Sequence, residues 1–361
     1  MKIDMHVHLE EGPYSNRFFK KTIKSIYEIE GKKDKRSIYD MTEKSELFLK
    51  RMQEGDYSEW WMDHYLKAAI KNEVKVVGII DHLYRFYEAK QYYKKYMDIS
   101  KSKDGKIQAR WLNQVMWHYI DDFIHLVESQ KEKWASYGIE LRVGIEVDYF
   151  DGVDEELKNL LEPYEFDYVV GAVHFNDGLM ISNPKLLPTF EKIKIEHLYE
   201  THYKTTELAI ESGLFDMMAH LDNIKILGKV DELQLLYLYE EIAKSLKTHD
   251  VVCELNAGMR YHTKLKEVSP SKKFVQIIAR HGVPFTTSSD GHFPNDLGKY
   301  NKNMRRILRD VGVDEIVGFN KREREYFSLT GEDTTDKHMG TQSNKNENEE
   351  TPHILRMCRE F

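Results

Sequence analysis

The stretch VKVVGIIDH at residues 74–82 is a run of apolar residues that stops at an acid and a histidine. Apart from Lys75 it lacks the alternating polar residues of a strand with one solvated face, so it is typical of a strand buried on both faces. Asp81 and His82 stand at its carboxyl end. The stretch therefore predicts a buried strand of an α/β fold with polar groups at its exit.

Six further runs share this character and are separated by helix-like segments. They lie at residues 2–8, 141–150, 166–176, 215–222, 251–258 and 283–292. Strands that alternate with helices form parallel sheets, because each helix carries the chain back across the sheet. Seven such units that close on themselves predict a (β/α)7 barrel related to the TIM barrel.

Two connections are longer than a barrel needs, and the end of the chain differs in composition. Residues 9–73 and 83–138 are rich in Tyr, Trp and Lys, and we interpret them as helical insertions that cap the barrel. A lid over a site and a separate binding module are the alternatives. Residues 1–329 are predicted to form the catalytic barrel, and the polar residues 330–361 are predicted to be disordered.

Charge and composition limit the partners. The net charge is −8, which gives no general attraction for nucleic acid or anionic membranes. Two cysteines are too few for a disulfide framework, and no run reaches the roughly 20 apolar residues of a membrane span. We expect a cytoplasmic protein that acts on a small molecule, with nucleic acid disfavoured and no membrane partner. The sequence does not determine the oligomeric state.

Potential metal ligands stand at the end of every predicted strand. They are His6 and His8, Asp81 and His82, Glu146 and Asp148, His174, His220 and Asp222, Glu254 and Asn256, and Asp290 and His292. The carboxyl ends of barrel strands meet at one face, so we expect these side chains to lie together. Burying so many imidazoles and carboxylates without a metal would be costly.

The ligand types indicate which metals and which chemistry. Imidazole and carboxylate without thiolate suit Zn, Mn or Fe, and eight or nine ligands at three or four per ion predict two or three ions. Glu146 could bridge two of them. A multinuclear site favours phosphate-ester hydrolysis, since divalent cations hold phosphoryl oxygens and generate hydroxide near neutral pH.

The order of these motifs resembles one family. Asp-x-His-x-His, Asp-His, Gly-Ile-Glu, Val-His-Phe, His-Leu-Asp, Glu-Leu-Asn and Ser-Asp-Gly-His together resemble the PHP (polymerase and histidinol phosphatase) superfamily over residues 1 to 295, and within it the histidinol-phosphate phosphatases. The resemblance implies a distorted (β/α)7 barrel with a trinuclear metal centre.

The resemblance also implies roles for individual residues. The implied metal ligands are His6, His8, His82, Glu146, His174, His220, Asp290 and His292, of which Glu146, His174, His220 and Asp290 would form the catalytic centre. One family ligand after the two N-terminal histidines is not cleanly matched, and Glu11 is the predicted substitute, with Glu10 as the alternative. Arg260 is predicted to hold phosphate, and Arg85 is a weaker candidate.

The function predicted from the sequence is a metal-dependent phosphomonoesterase, with L-histidinol phosphate as its substrate. One alternative is a phosphodiesterase or exonuclease, either of the PHP type or similar to the TatD nucleases. An amidohydrolase is a further rival, but it would carry a bridging lysine where this chain has Glu146. The remaining alternative is a noncatalytic metal-binding PHP module.

Overall fold

The computed structural model describes residues 1–9 and 14–330, so Glu10, Glu11 and the chain from residue 331 onward lie outside the described residues. The strands are β1 (Lys2–His8), β2 (Val74–Ile80), β3 (Glu140–Asp148), β4 (Tyr168–Ala172), β5 (Phe175–Asn176), β6 (Leu179–Met180), β7 (Met217–Met218), β8 (Val252–Asn256), β9 (Phe285–Ser288), β10 (Glu315–Asn320) and β11 (Glu323–Ser328). The helices are α1 (Asn16–Ile29), α2 (Ile38–Glu54), α3 (Glu59–Asn72), α4 (Lys90–Tyr96), α5 (Lys103–Val115), α6 (Ile120–Ser136), α7 (Asp154–Leu161), α8 (Leu187–Phe190), α9 (Ile195–Glu211), α10 (Glu232–Thr248), α11 (Gly258–His262), α12 (Lys272–Arg280) and α13 (Asn301–Asp310).

Seven parallel strands form the central sheet, in the order β1, β2, β3, β4, β7, β8 and β9. Each of them coincides with one of the seven predicted runs, although β3 begins one residue before its run, so the prediction of a parallel α/β fold is confirmed. The two outer strands also meet, because Val7 pairs with Gly291 and the His8 N–H donates to the Gly291 carbonyl at 2.8 Å. The strands therefore enclose a common interior.

One large tyrosine fills part of that interior. The hydroxyl of Tyr168 donates to the carbonyl of Met5 on the opposite strand at 2.8 Å. Its ring lies against Gly78 and Gly144, where a Cβ atom would overlap the ring. Glycine is therefore required at both positions for the tyrosine to cross the barrel.

Both long connections consist of helices where the structure describes them. Residues 14–73 contain α1, α2 and α3, and residues 83–138 contain α4, α5 and α6. Serine hydroxyls begin several of these helices: Ser15 accepts from the Phe18 N–H, Ser58 from the Trp61 N–H and Ser102 from the Gly105 N–H. Within the described residues, no helix is both long enough and apolar enough to cross a bilayer.

A C-terminal hairpin that the sequence analysis did not anticipate closes the end of the barrel opposite the strand exits. Strands β10 and β11 pair in antiparallel fashion. The ring of Phe319 stacks on Tyr168 at 5.5 Å, and the Arg142 side chain donates to the Phe319 carbonyl at 2.8 Å. The opposite end, where the strands stop, remains accessible through a cavity.

Candidate metal centre

The structure brings the strand-end histidines and acids together at one face of the barrel. His6 and His8 lie at the end of β1, His82 follows β2, and Glu146 lies near the end of β3. His174 follows β4, His220 follows β7, and Asp290 and His292 follow β9. Three groups among them have ligand atoms within 4.8 Å of one another: His8 with His82 and His292, His6 with His8 and Asp290, and His82 with Glu146 and His174. These groups share members, so they form one continuous cluster.

Imidazole nitrogens face each other across this cluster. The Nε2 atoms of His6 and His8 are 2.9 Å apart, and those of His174 and His220 are 3.2 Å apart. Two ligand atoms about 2.1 Å from one tetrahedral ion would lie roughly 3.4 Å apart. The nitrogen spacings are therefore close to those of ligands that share an ion.

Glu146 lies between the two halves of the cluster. Its Oε1 is 3.0 Å from His220 Nε2, while its Oε2 is 2.7 Å from His82 Nδ1 and 3.5 Å from the Nε2 atoms of both His6 and His8. The Oε2 atom and His82 Nδ1 are both buried, yet neither has a hydrogen bond of acceptable geometry among the described residues. Buried polar atoms normally have partners, so this donor set fits divalent cations.

Electrostatics differs among the members of the cluster: against the effect of burial, nearby carboxylates raise the pKa of His6 and His174, the latter to about 9, whereas the pKa values of Glu146 and His82 shift downward. Burial by itself would raise the pKa of Glu146, but His82, His6 and His174 outweigh it and hold that pKa well below its usual range. Burial lowers the pKa of His82 to about 4. Glu146 is therefore an anion and His82 a neutral imidazole at neutral pH, which are the forms that bind metal.

A second layer of carboxylates orients the histidines. The Nδ1 of His6 lies 2.7 Å from Glu254 Oε1, and the Nδ1 of His174 lies 2.8 Å from Asp148 Oδ1. An imidazole that donates from Nδ1 presents a lone pair at Nε2, which is the atom that faces the cluster. Glu254 and Asp148 were recognised in the sequence only as strand-end acids; their place beside a histidine depends on pairing between strands.

Not every strand-end acid belongs to the cluster. Both carboxylate oxygens of Asp222 are engaged elsewhere, by Ser269, by the Ser271 N–H and by Lys225. Asp81 accepts the Tyr57 hydroxyl at 2.6 Å, and its Oδ1 lies 3.8 Å from His8 Nδ1, so it lies behind the His8 ring and not among the groups that face the cluster. Position at a strand end therefore does not by itself identify a ligand.

The backbone at two of these residues is unusual for side chains other than glycine. His220 has φ +23° and Asp290 has φ +54°. Such left-handed conformations are costly and occur often at functional sites. Gly258 packs closely beside Asp290, since a Cβ atom on this glycine would lie 2.4 Å from Asp290 Oδ2. A larger residue at position 258 would displace the Asp290 carboxylate.

A cavity of about 470 Å³ opens over the cluster. His82, His174, His220, Asp290 and His292 line its floor. Its walls come from α1, α5, the loop at residues 180–185 and the segment at residues 258–263. The volume lies in the range of small-molecule sites.

The two arginines singled out in the sequence do not line this cavity. The Arg260 guanidinium lies 4.8 Å over the Tyr300 ring and donates to the Lys266 carbonyl at 3.3 Å. It lies on the short helix α11, whose residues Met259 and His262 face the cavity instead. Arg85 is buried against Asp56 at 3.2 Å. The structure therefore gives neither arginine a contact with the cavity.

The chain matches the family model for the PHP domain over residues 55–258. The chain belongs to the PHP domain family. Among curated relatives, "Probable histidinol-phosphatase" of Deinococcus radiodurans is 27% identical over 228 residues, which cover 61% of this chain and 84% of the relative. "Probable histidinol-phosphatase" of Clostridium acetobutylicum is 21% identical over 216 residues, covering 57% and 81%.

A solved PHP-type fold also superposes on this one. The crystal structure of histidinol phosphate phosphatase from Lactococcus lactis, complexed with zinc, L-histidinol and phosphate, matches with a TM-score of 0.58 at 12% identity. The match covers 73% of this chain and 92% of that chain. At this identity the match establishes the fold, and the family membership together with the curated relatives supports a hydrolase of phosphate monoesters.

The outer carboxylates give a first testable prediction. Asp148 contacts His174 Nδ1 through Oδ1 and accepts the Tyr93 hydroxyl through Oδ2 at 2.7 Å. Asp148→Asn keeps the shape of this side chain but removes the negative charge beside His174. We expect metal affinity to fall by about 10–100-fold, as for other partners of metal-bound histidines. Competition with a fluorescent chelator measures this change.

Asp154→Asn is the matched control, because Asp154 also accepts a tyrosine hydroxyl, that of Tyr149 at 2.8 Å, but lies at the exposed start of α7. It should leave metal affinity unchanged. Equal affinity in the Asp148 variant and the wild type would mean that Asp148 does not support a ligand.

Proposed function

We propose that this protein is a metal-dependent phosphomonoesterase whose substrate is L-histidinol phosphate or a closely similar ester. One observation carries the proposal: histidines and acids from separate strand ends form a single buried cluster at the floor of an open cavity. A module that used metal only for stability would have no need of a cavity above its ligands. The relatives named as histidinol-phosphatases point to the same reaction.

The proposed metal ligands are those inferred from the sequence: His6, His8, His82, Glu146, His174, His220, Asp290 and His292. Bound divalent cations would neutralise the phosphoryl oxygens and supply hydroxide near neutral pH. Zn, Mn and Fe suit this donor set, and two or three ions would use it fully. Glu11, the proposed ninth ligand, lies outside the described residues, as does Glu10.

The protein's own side chains would then bind and orient the ester. Arg17 and Lys21 of α1 and Arg110 of α5 line the cavity. Cationic side chains attract a phosphate dianion, so we propose that they contact the ester whose phosphoryl group the cluster at the floor receives. These residues take the place that the sequence analysis gave to Arg260 and Arg85.

Substrate identity and location are the finer parts of the proposal. The Lactococcus protein was crystallised with zinc, L-histidinol and phosphate, which makes histidinol phosphate the first ester to test. We also propose a cytoplasmic location, as expected for an enzyme that acts on a biosynthetic phosphate ester.

Phosphate release tests the proposal. Purified protein would be analysed for metal and assayed with histidinol phosphate, p-nitrophenyl phosphate and a short single-stranded oligonucleotide. We expect at least two divalent ions per chain and turnover of the monoesters. Faster cleavage of the oligonucleotide would favour a phosphodiesterase, and metal without turnover of any ester would favour the noncatalytic module.

A further inference from the structure

One wall of the cavity comes from helix α5, which belongs to the long connection at residues 83–138. Ile107, Arg110, Trp111 and Gln114 of this helix line the cavity. Their spacing of three and four residues places them on one face of the helix, while Gln108, Leu112 and Val115 are buried. The connection therefore supplies a continuous cavity wall.

Aromatic rings run along this wall, starting at the metal cluster. The ring of Tyr84 stacks on His82 with centroids 4.4 Å apart and an interplanar angle of 15°. Trp111 meets Tyr84 edge to face, with centroids 4.8 Å apart and an angle of 64°. Trp111 is half-buried and lines the cavity. Two aromatic rings are thus presented beside the proposed phosphoryl site.

The charges of the wall argue against recognition of an ammonium group. Among the described lining residues, Asp290 is the only carboxylate, and it faces His6 and His8 at 3.6 Å. Arg110 and Lys185 line the cavity and are exposed. An ammonium group on the alcohol would meet cations on this wall, whereas a planar ring would meet Tyr84 and Trp111.

We infer that Tyr84, Trp111 and Ile107 form a subsite for a planar ring on the leaving alcohol. The preferred substrates are then phosphate monoesters of ring-bearing alcohols, and the ring rather than any amine is the feature that the protein recognises. This inference rests on the proposed function, because the ring must lie beside a phosphoryl group at the cluster. Histidinol phosphate, with its imidazole, belongs to this class.

Two simple esters distinguish recognition of a ring from recognition of an amine. 2-Phenylethyl phosphate has a ring and no ammonium group, and O-phosphoethanolamine has an ammonium group and no ring. We expect the wild type to prefer the first ester in kcat/KM by at least about tenfold, the effect of one aromatic contact plus buried apolar area. An equal or reversed preference would overturn the inference without any variant.

The Trp111→Leu substitution tests whether this cavity wall causes the preference for the ring-bearing ester. We expect it to lower kcat/KM for 2-phenylethyl phosphate by about tenfold, mainly through KM, and to change the value for O-phosphoethanolamine by less than about twofold. Trp117→Leu is the control, because Trp117 is exposed on the same connection and does not line the cavity. Equal losses on both esters would mean that Trp111 has only a structural role.

Binding of phosphonates that are not hydrolysed tests the ring subsite independently of the proposed phosphatase activity. Calorimetry with 2-phenylethylphosphonate and 2-aminoethylphosphonate, neither of which can be hydrolysed as an ester, should show the same preference and the same loss in Trp111→Leu. If no ester is hydrolysed but this preference is present, the proposed function fails and the subsite stands. If monoesters are hydrolysed and no preference for the ring appears, the subsite fails alone.

Discussion

Glu146→Gln is expected to abolish phosphate release, with kcat reduced by at least about a thousandfold, or about 4 kcal/mol of transition-state stabilisation. The carboxylate has His220 Nε2 3.0 Å from one oxygen and His82 Nδ1 2.7 Å from the other. Glutamine fills nearly the same volume, but it brings an N–H₂ group and no negative charge to a site surrounded by imidazoles. One half of the cluster would therefore lose its anionic ligand.

Metal content should fall together with activity in this variant. We expect at least one divalent ion per chain to be lost, which elemental analysis measures, while the circular dichroism spectrum remains that of the wild type. Glu241→Gln, on the exposed side of α10, is the control and should change neither quantity. A Glu146 variant with full metal content and more than a tenth of wild-type activity would remove Glu146 from the centre.

Removal of metal by chelation is expected to have the second-largest effect. Ligands that bind only the folded state stabilise it, by about 4 kcal/mol when their concentration is a thousand times Kd. For a chain of this size we expect the chelated protein to melt roughly 5–10 °C below the metal-loaded protein and to release no phosphate. Differential scanning calorimetry and a phosphate assay measure both quantities.

Restoring Zn or Mn to the chelated protein should recover both melting temperature and activity. The Glu146→Gln variant provides an internal control, because a protein that has already lost metal should shift less on chelation. If chelated wild-type protein keeps its melting temperature and its turnover, the cluster does not act through a metal.

Most of the fold could be predicted from the sequence because buried parallel strands have a strong local signal. The seven apolar runs coincide with the seven strands of the sheet to within one residue at the start of β3. The boundaries were less predictable: the run at residues 215–222 contains only the two-residue strand Met217–Met218, since the chain turns at His220 with positive φ. The hairpin of β10 and β11 was missed because the apolar run of β10 has only four residues and three of the six residues of β11 are charged.

The candidate ligands could be found in the sequence because strand ends of a barrel converge whatever the details of packing. The residues proposed to contact phosphate could not. The direction of an arginine on a short helix or turn depends on its neighbours, and the structure turns Arg260 to Tyr300 and Arg85 to Asp56. The cavity wall formed by α5 could not be predicted from the sequence either, because only tertiary packing brings Trp111 next to Tyr84.

Anomalous X-ray diffraction from crystals of the metal-loaded protein tests the central claim most directly. We predict at least two anomalous peaks at the absorption edge of the bound metal, about 2.0–2.2 Å from nitrogens and oxygens of two groups: His6, His8 and Asp290, and His82, Glu146 and His174. Crystals of active protein with no anomalous peak at this cluster would contradict this claim.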